Sequence, residues 1–339
     1  MISWFGDDLR CGRCRVEPRI EEAGRRAEPS DWQVTGLTPF TARAVGRDAE
    51  DRPVYGGTPD DLSIIAAIRE MNARGLKVMM YPFLLMDVPE GNGLTDPWSG
   101  AADQPVYPWR GRITLDAAPG QAGSTDQTAA AAAEVAAFFG TARAADFGTG
   151  GSRPSYSGPA EWTWRRFVLH LAALAKIAGG VDAFCIGSEL RGLTQIRDGR
   201  TSYPAVAALR DLAAEVRLLL PSTKLSYAAD WSEYFGHQPA DGTGDRIFHL
   251  DPLWADEEID FIGIDDYMSA ADWRHTANHL DAEAGAASVY ELAYLKANVA
   301  GGENYDWYYA SDADRTAQIR TPIVDGYTVP ANQAPATTP

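Results

Sequence analysis

Basic residues are scarce in this chain. It carries 30 Lys and Arg against 47 Asp and Glu over 339 residues, a formal net charge of −17. A field of that sign repels nucleic acid and anionic membrane surfaces, and no basic stripe interrupts it. Cysteine is scarcer, with three residues, too few for a disulfide framework. Cys11 and Cys14 form one CxxC, and Cys185 lies inside an apolar run. A zinc site would have to add His275 and His279, spaced HxxxH but far downstream, whereas zinc modules keep their ligand pairs close. The CxxC therefore reads as a loop turn or a local redox-sensitive pair. No apolar run approaches the roughly 20 residues that cross a bilayer. "MISWFGDDLR" has neither the charged start nor the apolar stretch of a signal peptide. The phosphate loops GxGxxG and GxxxxGK[ST] are missing, and "GTGGS" near Gly148 lacks the lysine. GxSxG and HExxH are missing too. Neither a metal nor an organic cofactor is implied.

What is present is a repeated pairing of short apolar strand and amphipathic helix. "ISWFG", "LKVMMYPFLL", "VDAFCIGSEL", "KLSYAADW" and "IDFIGIDDY" read as strands. They are continuous apolar runs, as in a parallel sheet covered on both faces. "TPDDLSIIAAIREMNARG" reads as a helix, with Thr58 as N-cap, Pro59 at N1 and Gly75 at its end. Its apolar residues Leu62, Ile65, Ile68 and Met71 recur at near-helical spacing. "TDQTAAAAAEVAAFFG", "EWTWRRFVLHLAALAKIAGG", "YPAVAALRDLAAEVRLLLP" and "DAEAGAASVYELAYLKANVAGG" are further helices. About five βα units result. Two long loops, from about Arg10 to Gly57 and from Met86 to Ser124, interrupt them, and long loops in a compact domain are usually functional.

Each strand is followed by acids or aromatics: Trp4, Asp7 and Asp8; Tyr81 and Asp87; Glu189; Asp230, Trp231 and Glu233; Asp265, Asp266 and Tyr267, with Trp273 just beyond. Parallel α/β folds build their sites at strand C-termini. Carboxylates beside tryptophans suit carbohydrate chemistry. One carboxylic acid protonates the leaving oxygen, a second carboxylate acts as nucleophile or base, and aromatic faces pack on sugar rings. Bland roles compete: Asp60, Asp61 or Asp182 could cap helices, Asp265–Asp266 could be a turn, and Trp162 and Trp164 could only pack. Glu189 stands out because it follows a buried strand directly, with no cap role in view, and Gly187 and Ser188 let the backbone turn before it.

Nine stretches together, "WFGDDLRCGRC", "YGGTPDD", "YPFLLMDVPEGN", "YPWRGRIT", "FCIGSELRGLT", "YAADWSEYFGH", "FHLDPLWA", "IDFIGIDDYMSAADWR" and "GGENYDWYYA", resemble the TIM-barrel-like domain of gene transfer agent and related phage tail proteins. The resemblance spans about residues 1–326. It implies an α/β fold of (β/α)8 TIM-barrel type, similar to clan A glycoside hydrolases, within a very large baseplate protein of a phage-like particle. In that clan the acid/base Glu follows the fourth strand, often after Asn. Glu189 matches it, with Ser188 in place of the Asn. Tyr267 matches a Tyr that orients the nucleophile.

The chain then reads as the second to sixth strands of an incomplete barrel over residues 1–326, with 327–339 a disordered or truncation tail. The family's seventh strand, which carries a second Glu, would lie beyond "RTPIVDG". The implied function is glycoside hydrolysis of cell-envelope polysaccharide. Glu189 would be the catalytic acid/base, and Tyr81, Asp230, Trp231, Glu233, Asp265, Tyr267 and Trp273 would bind substrate. Turnover by these residues alone is expected to be poor unless Asp230, Glu233, Asp265 or Asp266 supplies the second carboxylate. A non-catalytic structural or glycan-binding module is the alternative. The expected partners are the polysaccharide and other tail or baseplate proteins, and the expected location is the tail of the particle.

Overall fold

Apolar runs with too few polar positions for a solvated face become the strands. "ISWFG" forms β1 (Ile2–Gly6). The next run forms two pieces, β2 (Met79–Met80) and β3 (Pro82–Met86), parted by Tyr81. Then follow β4 (Ala183–Ser188), β5 (Lys224–Asp230) and β6 (Gly263–Asp265). This computed structural model describes residues 1–21, 31–234, 236–267, 270–276, 278–300, 307–322 and 324. The expected tail at 327–339 lies outside them.

Pairing among these strands is parallel throughout. β1 pairs with β3, Ile2 opposite Pro82 and Gly6 opposite Met86. β2 pairs with β4, β4 with β5, and β5 with β6, where Asp230 lies opposite Asp265. The pairs fall in two sheets, one joining β1 to β3 and one holding β2, β4, β5 and β6 in chain order, without the reversal of order that marks a doubly wound sheet. Among the described residues the sheet does not close on itself, so what is seen is mixed α/β with a parallel sheet.

Helices cover the strands. Helix α1 (Asp61–Ala73) is capped by Asp60, whose carboxylate accepts from the Leu62 and Ser63 amides. The expected cap, Thr58, instead donates to the Ser3 carbonyl and accepts from the Arg19 amide, tying the loop to β1. Leu62 turns out to solvent and Ile64 turns in, because the cap shifts the inward face. Helix α2 is Ala129–Phe139. In α3 (Trp164–Ala178) nearly every residue is buried, Arg165, Arg166 and His170 included. Trp4 stacks on Phe167 with centroids 4.9 Å apart, and Asp61 on α1 meets His170 on α3 at 2.8 Å. Trp4 is thus core, whereas Trp162 precedes α3 and lies under the Arg166 guanidinium. Helix α4 is Pro204–Leu219.

The chain divides into two compact units, Met1–Asp265 and Asp266–Pro339. In the second, the expected long helix is broken into Leu280–Glu283 and α5 (Leu292–Ala300). Gly285, at φ 105°, ends the first piece in a conformation that few side chains adopt.

Candidate active site

β4 ends at Ser188, and the backbone turns at the next residue. Glu189 adopts φ 50°, a region that a residue with a Cβ enters rarely and at a cost. The glycine before it does another job. A Cβ on Gly187 would lie 3.1 Å from the Trp164 ring and 3.3 Å from Tyr227, so Gly187 permits close packing and Glu189 itself makes the turn. The turn is fixed on both sides. The Glu189 amide donates to the Ala228 carbonyl at 2.9 Å, and the Leu190 amide donates to the Tyr227 hydroxyl at 2.7 Å.

The carboxylate so placed is 4% exposed. Its Oε2 accepts from the Trp109 indole N–H at 2.7 Å and lies 3.0 Å from Arg110 Nη2. Arg110 is held in turn: its Nε donates to the Ser188 carbonyl at 3.0 Å, and its guanidinium lies 3.8 Å above the Phe83 ring. Trp109 and Arg110 come from the loop 86–124. The length of that loop marks it as functional, but nothing in "YPWRGRIT" singles out either residue.

Asp265, at the end of β6, meets the same group. Its carboxyl shares a hydrogen bond with Glu189 and accepts one from the Tyr81 hydroxyl. Burial pushes the Asp265 pKa up, Tyr81 works against that, and Glu189 adds to the rise. The net effect shifts Asp265 towards its protonated form. Burial and the bond to Asp265 push the Tyr81 pKa up as well, which keeps its hydroxyl a donor.

The remaining candidates fall into different places. Asp230 accepts from the Ser232 amide at 2.9 Å and from the Ser232 hydroxyl, and so caps the turn Trp231–Tyr234. Glu233 is 2% exposed, which corrects its assignment to a sugar-lining surface. It accepts from the Thr194 hydroxyl at 2.6 Å and the Asp230 amide at 2.8 Å, and from Tyr227 at 3.2 Å. It therefore braces the Tyr227 hydroxyl that holds Leu190, one residue past Glu189. Burial raises the Glu233 pKa to about 7. Trp231 is half-buried at the head of its turn. Tyr267 and Trp273 belong to the second unit, where Tyr267 is exposed. Trp273 packs edge-on against His279, with centroids 4.4 Å apart, and lies near Tyr294, so it has a packing role there.

The acids near β1 and β3 are spent on ion pairs: Asp87 on Arg19, Asp8 on Arg10, Asp7 on Arg43. Cys11 and Cys14 are free and buried, and burial pushes the Cys14 thiol up to about 12, a poor nucleophile. Among the described residues no group of His, Cys, Asp and Glu could hold a metal ion.

The GTA TIM-barrel-like domain matches residues 162–332, just over half of the chain. The matched span contains Glu189, Tyr227, Glu233 and Asp265, while Tyr81, Trp109 and Arg110 precede it. Among curated proteins none matches the sequence. The chain belongs to the family of GTA (gene transfer agent) TIM-barrel-like domains.

Proposed function

We propose that this gene transfer agent domain is a glycoside hydrolase-like module of the particle's tail or baseplate, acting on cell-envelope polysaccharide through Glu189. The observation that carries this is the pair Glu189–Asp265, whose carboxyls meet at the C-terminal ends of two parallel strands. The chain-order run of parallel strands β2, β4, β5 and β6 supports an arc of a (β/α)8 barrel, whose chemistry sits at the C-terminal end of its strands.

In this reading Glu189 gives a proton to the glycosidic oxygen and later takes one from water, and Asp265 is the adjoining store of that proton. Trp109 and Arg110 stabilise charge on Glu189 Oε2 once the proton has left. Asp265 is then the second carboxylate, so the chemistry does not need one from a further strand. Hydrolysis uses carboxyls about 5 Å apart when configuration is retained and roughly 6.5–9.5 Å when it is inverted. The hydrogen-bonded pair is closer than either, so sugar or water has to part it first.

That closeness favours the second reading, a glycan-binding module without turnover. Incubation of the full chain with purified envelope polysaccharide separates the two. Release of reducing ends is the expected outcome, and retention of glycan without release supports the binding module. Neither release nor retention would overturn both.

A further inference from the structure

We propose that Trp109 is the platform on which a neutral pyranose ring stacks to reach Glu189. This rests on the reading of the domain as glycan-directed and names a binding residue and a substrate class for it. Trp109 stands at the head of the short turn Arg110–Arg112, and the residue is 38% exposed although its N–H is committed to Glu189 at 2.7 Å.

The ring is also fixed in orientation. One side lies on Gly111, where a Cβ would come within 2.3 Å of the indole. Glycine there lets the six-membered ring lie flat on the backbone, and the hydrogen bond to Glu189 fixes its rotation. An anchored indole on a residue that solvent reaches offers a sugar's C–H face an apolar surface at little cost in ordering. The same hydrogen bond sets the distance from platform to carboxyl, so a ring seated there is presented to Glu189.

Charge selects the sugar. The cation at the site, Arg110, has a side chain 4% exposed and is paired with Glu189. Asp265 and Glu189 lie alongside, in a chain of net charge −17. A uronic acid or phosphorylated sugar would meet carboxyls rather than a cation, so the platform suits neutral rings.

The test is calorimetric binding of neutral chitohexaose and anionic hexagalacturonate to the full chain carrying Glu189→Gln. The amide oxygen there can still accept the Trp109 N–H, and turnover is removed. Chitohexaose should bind more tightly than hexagalacturonate. Adding Trp109→Ala should weaken its binding by about ten-fold, and Trp109→Phe, which keeps a ring, by no more than about three-fold. The parent's tryptophan fluorescence should change on saturation, and Trp109→Phe should abolish that change. No binding of chitohexaose, equal binding by Trp109→Ala, loss in Trp109→Phe equal to that in Trp109→Ala, or tighter binding of hexagalacturonate would each overturn the proposal. Because binding is read without turnover, a domain that binds but does not hydrolyse would leave this proposal standing while removing the hydrolase reading.

Discussion

Glu189 carries a negative charge into a place with almost no water, and Arg110 makes that tolerable. Both side chains are about 5% exposed, so the pair is desolvated and neither partner can turn to solvent. Removing one partner of such a pair strands the other. Arg110→Ala should therefore cost about 3–5 kcal/mol of stability, measured by urea unfolding. Glu189→Gln, which keeps an acceptor for Trp109, should cost less. Glu189 was legible because a carboxylate directly after a buried strand needs a reason. Its left-handed backbone was not, since a glycine and a serine stood just before it and looked like the turn. Trp109 and Arg110 were hidden by distance: they reach Glu189 across 80 and 79 positions of chain, which no local pattern encodes.

Between elements, the close approach of two short turns holds the site together. A Cβ on Gly192, in the turn Arg191–Thr194, would lie 2.6 Å from the Ile113 carbonyl oxygen and 2.9 Å from that of Gly111. Backbone cannot swing aside as a side-chain tip can, so Gly192→Ala must push the turn after β4 away from the turn that carries Trp109. We expect a loss of about 2 kcal/mol in stability, against about zero for Gly150→Ala, which meets nothing within 4 Å; thermal unfolding of both variants checks this. The strand–helix alternation itself was readable, because both-faces burial makes parallel strands continuous apolar runs. Ends were less so. The α1 cap moved from Thr58 to Asp60 because Thr58 was drawn into the loop against β1, a tertiary bond that competes with capping.

Over the whole molecule, buried ionisable groups pull stability in opposite directions as pH changes. The Glu233 pKa is raised from 4.5 to about 7, so its contribution is full below pH 4.5 and is lost as pH rises towards 7. Burial lowers His237 to about 4 and His249 to about 3 from 6.5, so their contributions are present above pH 6.5 and are lost as pH falls. Between pH 4.5 and 6.5 these effects oppose one another. Glu233→Gln removes one of them. Relative to the parent, that variant should gain stability as pH rises from 4.5 to 7, by about 3 kcal/mol in all, in urea titrations at a series of pH values. A difference that stays flat across this range would mean that Glu233 does not titrate as its burial implies.

At the same scale, a carboxyl pair, an exposed tryptophan and a buried cation meet at the ends of parallel strands. Glu189 is proposed to transfer its proton to a glycan there. The most direct measurement is the rate of reducing-end release from purified cell-envelope polysaccharide by the full chain and by its Glu189→Gln variant, both confirmed folded by circular dichroism. The parent should release reducing ends, and the variant's rate should fall by about 10²–10⁴-fold, the range that a lone general acid contributes. Equal rates from the two proteins, or no release by the parent, would contradict the proposed transfer.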